Sequence, residues 1–193
     1  MTIRTAFAAA VLVLGSTAFV QAQDRVVRMD NGFSVTVPAG WRLDEAGEDG
    51  TDATGRKRVR LICETPACKR SQETCTFVLR SKPVEGETDA ARLAGMYQSP
   101  LTRYFRLRAV LKSTSKEAEV LQDLAVQRIG PRDWWVVETD ARHNYKSGYF
   151  AETVVDGQYL GVICKTCETG EVRHLSARRM LETVNPPRTA ELR

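Results

Sequence analysis

Five cysteines are the residues of this sequence whose type and spacing best suit chemistry. Two of them form the motif Cys164-Lys165-Thr166-Cys167, which lies between an apolar strand-like run and a helix-like segment. A Cys-x-x-Cys ahead of a helix is typical of thiol–disulfide exchange. The helix N-terminus and a nearby cation, here Lys165, lower the pKa of the first thiol and make it a nucleophile.

A structural bridge is the other interpretation of this motif, and the one that we favour. In thioredoxin-like proteins the motif follows an early strand and packs beside a proline. Here it lies near the C-terminus, and the only later prolines are Pro186 and Pro187. We therefore predict an inert Cys164–Cys167 disulfide and keep a redox role for this pair as the alternative.

The other cysteines lie in and between two segments of alternating polarity. Segments 56–63 and 74–82 alternate apolar and polar residues, which predicts an antiparallel pair of strands. If the apolar faces set the register, Cys63 and Cys75 point to the same side and lie nearly opposite each other. This predicts a Cys63–Cys75 disulfide and leaves Cys68 as the free thiol, although five cysteines allow several pairings.

A zinc site is a third use of these side chains. The candidate ligands are Cys63, Cys68, Cys75, Cys164, Cys167 and His174. Only the Cys164/Cys167 pair has the short spacing of a zinc knuckle, and disulfides compete for thiols in an oxidising compartment. We predict no metal and no other cofactor.

Motifs for other catalysis are missing from the sequence. His143 and His174 have no sequence partners for a hydrolytic triad, and neither a Gly-x-Ser-x-Gly elbow nor a Gly-rich phosphate loop occurs. These features favour a protein that is not an enzyme. The basic runs 56–58 and 103–108 alternate with apolar residues, which is typical of solvated faces. Such faces can also meet a polyanionic envelope component.

Residues 1–22 have the pattern of a secretory signal peptide. Arg4 gives a positive start, an apolar run extends from Ala6 to Val20, and Val20-Gln21-Ala22 fits a cleavage site. We expect a mature chain beginning near Gln23, periplasmic or secreted, and without a membrane span because no second long apolar run follows. The formal net charge of +4 falls by one with Arg4, which is too even to indicate nucleic acid as a partner.

The length of the mature chain predicts one domain over 23–185, and we expect a disordered tail over 186–193. Alternation predicts strands over 32–37, 56–63, 74–82, 118–129, 133–141, 148–155 and 158–164. A helix is predicted from Thr88, with a break at Ser99-Pro100. Its apolar stripe, which we assign to the core, is Leu93, Met96, Tyr97, Leu101, Tyr104 and Phe105. A closing helix has the stripe Ala177, Met180, Leu181 and Val184.

Two adjacent tryptophans indicate how the sheet is covered. Trp134 and Trp135 lie in one predicted strand, so their side chains face opposite sides of the sheet. Either both faces are covered, or one indole belongs to an exposed candidate binding patch. We favour coverage of both faces because helices are predicted at two places in the chain.

The segment 32–41, GFSVTVPAGW, resembles the first strand of exported proteins of the PsbP/Mog1-like class. The late strands ending in 159–163 and the last helix with 180–184, MLETV, follow in the same order as the corresponding elements of that class. The resemblance implies an α+β fold, an antiparallel sheet rich in β-meander with helices on its faces. It also implies an accessory or binding role. We therefore expect an exported, disulfide-stabilised, non-enzymatic domain whose partner is an unknown protein or envelope component.

Overall fold

A computed structural model describes residues 23–29, 32–44, 56–80, 82–114, 118–140, 147–168 and 173–186. The predicted signal peptide, His143 and the tail from 187 onward lie outside these residues. The strands are β1 (Arg25–Arg28), β2 (Ser34–Val37), β3 (Trp41–Leu43), β4 (Arg56–Cys63), β5 (Thr74–Arg80), β6 (Glu119–Ile129), β7 (Arg132–Asp140), β8 (Ser147–Val155) and β9 (Gln158–Thr166). The helices are α1 (Pro66–Ser71), α2 (Asp89–Gly95), α3 (Pro100–Thr114) and α4 (Leu175–Glu182).

Within the described residues a seven-stranded antiparallel sheet has the order β3-β4-β5-β9-β8-β7-β6, and β1 pairs separately with β2. The predicted meander is confirmed for β6 to β9. Asp156 and Gly157 join β8 to β9 with φ angles of 50° and 76°. This is the two-residue turn whose twist matches that of the flanking strands.

One face of the sheet packs against β2 and α4. The predicted stripe of α4 is confirmed, because Ala177, Met180, Leu181 and Val184 are all fully buried. They join a core with Phe33 and with the inward side chains of β4, β5, β7, β8 and β9. Asn185 then forms a bridge to Ser34, which ties the end of the described chain to β2.

The other face packs against α2 and α3. The Thr88 hydroxyl caps α2 by accepting from the Ala91 amide at 3.1 Å, and α3 begins at Pro100, as predicted. Leu93 and Tyr97 pack against Trp135 from β7. Trp134 belongs to the opposite core. Both faces are therefore covered at the tryptophans, and the candidate binding patch at Trp134 and Trp135 is wrong because both side chains are buried.

The predicted core stripe is correct for α2 and wrong for the first half of α3. Leu101, Tyr104 and Phe105 are exposed by 62%, 56% and 56%. The break at Pro100 resets the helical phase, so these residues point away from the sheet. Arg103 and Arg106 take the inward positions instead.

The predicted fold class is confirmed: an α+β fold, an antiparallel sheet with helices on its faces. Of the helices in the described residues, none has both the length and the apolar character that a membrane crossing requires.

The predicted disulfides are wrong. The bonds are Cys63–Cys68 and Cys75–Cys164, and Cys167 is the free, exposed thiol. Cys63 and Cys75 do share a face, but the register places Leu61 opposite Cys75. On its other side β5 pairs with β9, where Cys164 lies directly opposite Cys75 with a Cα–Cα distance of 4.0 Å.

We predict that the two bonds differ in their effect on stability. Cys75–Cys164 spans 89 residues and Cys63–Cys68 spans five. Closing the longer loop removes more entropy from the unfolded chain, about 4–5 kcal/mol against about 2 kcal/mol. Urea denaturation of Cys75→Ala/Cys164→Ala and of Cys63→Ala/Cys68→Ala measures the difference. Equal losses in free energy of unfolding would contradict this assignment.

Candidate functional site: a basic groove on the sheet

A groove with a volume of ≈ 310 Å³ lies on the helical side of β4, β5 and β9, beside α3. Its lining includes five cationic side chains, which are Arg56, Arg58, Arg80, Arg106 and Lys165. α2 and α3 pack against β6, β7 and β8. The other strands, β4, β5 and β9, therefore face the groove on this side of the sheet.

Strand periodicity brings these cations together. Successive side chains of a strand point to opposite faces, so Arg56 and Arg58 face the groove while Val59 and Leu61 pack toward the core. The register pairs Arg56 directly with Arg80. The two arginines are therefore neighbours on the face of the sheet that lines the groove.

A buried carboxylate contacts two of the residues that line the groove, Arg106 and Tyr159. Glu152 is 3% exposed and accepts hydrogen bonds from the hydroxyls of Tyr97 and Tyr159. Arg106 Nη2 lies 3.0 Å from Glu152 Oε1. Burial, and then the adjacent Glu152 charge, raise the pKa of both tyrosines well above the usual value. Both phenols therefore remain protonated donors at neutral pH.

A glycine makes room for this arrangement. Gly161 pairs with Glu152 across β8 and β9. A Cβ atom on Gly161 would lie 2.6 Å from Tyr159 Oη. The Tyr159 ring can therefore lie over β9 because Gly161 has no side chain. The Arg80 guanidinium carbon lies 4.1 Å from the centroid of the Tyr159 ring, a cation–π distance. Arg80 is thereby held at the groove.

The lining suits an anionic ligand that also carries apolar groups. Guanidinium groups bind carboxylates and phosphates through paired hydrogen bonds. Val78 and Ile163 are half-buried between the cations and supply apolar surface. Lys165 Nζ donates to the carbonyl of Ser113 at 2.8 Å, which links β9 to the end of α3.

The predicted redox pair lies outside this groove and is not formed. Cys164 is bonded to Cys75, so the Cys164-x-x-Cys167 motif has no dithiol. The zinc alternative loses its ligands for the same reason, since four of its six candidates are in disulfides. Within the described ranges, no three His, Cys, Asp or Glu side chains are grouped to hold a metal ion.

His174 is a buried cap residue. The closing helix begins at Leu175, and His174 precedes it with a φ of 62°. Neither ring nitrogen has a hydrogen-bond partner among the described residues. Burial, followed by the charges of Arg173 and Arg178, lowers the His174 pKa to about 3. The ring is therefore neutral, 5.5 Å from the Tyr149 ring.

Glu73 is a second buried acid, near α4. It is 4% exposed, and Ser176 Oγ lies 3.4 Å from its Oε2. Burial, and then the charge of Glu168, raise its pKa to about 7. Sequence reasoning missed both Glu73 and Glu152. The signal for Glu152 was an acid in the middle of the apolar segment 148–155.

The comparisons with known proteins agree with this fold. No family model and no curated protein matches the chain. A solution structure of cyanobacterial PsbP (CyanoP) from Synechocystis sp. matches with a TM-score of 0.53 and 12% identity, over 90% of this chain and 98% of that one. A crystal structure from Bacteroides thetaiotaomicron matches with a TM-score of 0.53 and 11% identity, over 87% of this chain. The match covers 50% of the Bacteroides chain. The chain has a PsbP-like fold, and the Mog1 part of the resemblance stays a prediction.

We predict that Glu152 is a major determinant of stability. Glu152→Gln leaves the charge of Arg106 without its buried partner, and we expect the free energy of unfolding to fall by about 2–3 kcal/mol. The double variant Glu152→Gln/Arg106→Met removes both charges and should recover much of this loss. Denaturant titration of both variants measures it. A loss below about 0.5 kcal/mol for Glu152→Gln, as at an ordinary surface position, would contradict the prediction.

We also predict opposite pH effects from His174 and Glu73. The folded-state pKa of His174, about 3, is below its unfolded value of 6.5, so its contribution to stability falls as the pH drops below 6.5. The pKa of Glu73, about 7, is above its unfolded value of 4.5, so its contribution falls as the pH rises above 4.5.

The two effects offset each other between pH 4.5 and 6.5. Glu73→Gln should therefore make stability increase with pH more steeply than in the wild type, by up to about 1.4 kcal/mol per pH unit. His174→Phe should shift the slope in the opposite direction. Urea titrations across this range give the slopes, and two variants that shift the slope in the same direction would contradict the assignment.

Proposed function

We propose that this protein is a non-enzymatic accessory domain that binds an acidic segment of a partner protein in the basic groove. The observation that carries the proposal is that five cationic side chains line one groove: Arg56, Arg58, Arg80, Arg106 and Lys165. A ligand with opposite charge is complementary to such a surface.

The chemistry of the lining favours a peptide over a small inorganic anion. Arg58 and Lys165 supply charge, whereas Val78 and Ile163 supply apolar surface between the cations. A bare anion would use only the charges. A segment with alternating acidic and apolar side chains matches both.

The fold and the cysteines support an accessory role outside the cytoplasm. The PsbP-like fold is shared with CyanoP, although a fold alone does not determine function. The two disulfides indicate an oxidising environment. Together with the signal-peptide pattern of residues 1–22, they support a periplasmic or secreted location.

A binding experiment tests the proposal directly. A fluorescent peptide of alternating Glu and Leu is titrated into the wild type and into Arg56→Ala/Arg58→Ala/Arg80→Ala. Three partly solvated ion pairs contribute roughly 0.5 kcal/mol each, so we expect about tenfold weaker binding by the variant. Raising the salt concentration to about 0.5 M should weaken wild-type binding, because it screens these charges.

The matched control removes the same charge elsewhere. Arg25→Ala/Arg128→Ala/Arg179→Ala changes three exposed arginines on β1, β6 and α4 and should leave peptide affinity unchanged. Denaturant titration of both variants checks that each is folded under the binding conditions. Equal loss in both variants would contradict the proposed groove. Preferential binding of phosphatidylglycerol vesicles over the peptide would contradict the proposed partner class.

A further inference from the structure

The Cys63–Cys68 disulfide has a buried carboxyl group beside it. Cys63 ends β4, Cys68 lies in α1, and Glu73 immediately precedes β5. Glu73 Oε2 lies 4.0 Å from Cys68 Sγ. Glu73 Oε1 is buried and has no hydrogen-bond partner among the described residues. The Glu73 carboxyl group is therefore an acidic group beside the Cys68 sulfur.

The two disulfides differ in access. Cys75 and Cys164 are both completely buried in the core. Cys68 is only partly buried, in a short surface helix that connects two strands. Exchange requires a thiolate to reach a disulfide sulfur, so the Cys63–Cys68 bond is the accessible one.

We propose that Cys63–Cys68 is an exchangeable disulfide that an external dithiol reduces, with Glu73 carrying the proton between the incoming thiol and Cys68. This bond is separate from the Cys164-x-x-Cys167 motif. It packs against the core on the face of the sheet opposite the groove, so its role does not depend on the proposed peptide binding.

The first half of the reaction forms a mixed disulfide. One thiol of the dithiol gives its proton to the Glu73 carboxylate, and the resulting thiolate attacks Cys68 Sγ. The Cys63–Cys68 bond breaks, and its electron pair leaves on Cys63 Sγ. The Thr65 hydroxyl, 3.7 Å from that sulfur, is placed to donate to the thiolate.

The second half releases the reductant. The second thiol of the dithiol attacks its own mixed-disulfide sulfur, and Cys68 leaves as a thiolate. Glu73 returns the first proton to Cys68, and the second proton reaches Cys63 through solvent. The dithiol is oxidised to a disulfide, and the protein gains two thiols.

The surroundings of Glu73 suit proton transfer near neutral pH. Its pKa of about 7 is set first by burial and then by Glu168, which follows β9, while the Ser176 hydroxyl from α4 lowers it. An acid or base is most effective when its pKa lies near the working pH.

The first test compares the two bonds within the wild-type protein. The folded protein is incubated with dithiothreitol, quenched by alkylation at intervals and analysed by peptide mass spectrometry, with circular dichroism to monitor folding. We expect Cys63 and Cys68 to be labelled at least about tenfold faster than Cys75 and Cys164, since access controls exchange. Simultaneous opening, or opening only on unfolding, would overturn the proposal.

The second test isolates the proton transfer. Glu73→Gln should slow reduction of Cys63–Cys68 by about tenfold at pH 7, and the inflection of the wild-type rate near that pH should disappear. Cys167→Ser is the control and should reduce at the wild-type rate, since its exposed thiol takes no part. A wild-type pH profile that follows the ionisation of dithiothreitol alone would overturn the role of Glu73, whether or not Glu73→Gln folds.

Discussion

The buried carboxylate of Glu152 determines where the helical layer lies on the sheet. A buried charge must be paired and hydrogen-bonded. Its partners come from three places: Tyr97 after α2, Arg106 in α3 and Tyr159 in β9. Sliding the helices across the sheet would break these interactions together. The helices are therefore held over β6, β7 and β8, and β4, β5 and β9 face the groove.

The Cys75–Cys164 disulfide makes the groove rigid. Cys75 and Cys164 join β5 to β9 on the core face, directly behind the strands that carry Arg80 and Lys165. A covalent link between these strands fixes the spacing of the cations in front. Rigid elements position binding groups better than loops do, so less ordering entropy is lost when a ligand binds.

Local patterns predicted most of the fold. Period-two alternation located β4 and β7 to within a residue, and the Asp156-Gly157 turn set the last hairpin. The disulfides could not be predicted because Cys75–Cys164 depends on β5 pairing with β9, a contact between residues far apart in the chain. The inward face of α3 was missed because arginines occupy it. The Arg103 guanidinium carbon lies over the Trp135 ring, 5.2 Å from its centroid. A search for hydrophobic periodicity cannot predict such a contact, because arginine counts as a polar residue.

From the sequence alone, only separate parts of the candidate site could be recognised. The basic run 56–58 was interpreted as a solvated face, which is correct for an isolated strand. Its significance comes from the neighbours that the fold supplies, Arg80 across the pair and Arg106 from α3. Glu152 likewise gains its role from Tyr97, 55 residues away in the sequence. Such assemblies follow from topology, not from any local segment.

The most direct test of the groove is an NMR titration of the ¹⁵N-labelled protein with the alternating Glu/Leu peptide. We predict that the amide chemical shifts of β4, β5 and β9 change around Arg58, Val78 and Lys165, while those of α4, β1 and β2 do not change. Shifts that instead cluster on the exposed face of α3, around Tyr104 and Phe105, would contradict it. The binding surface would then be the outer side of the helical layer.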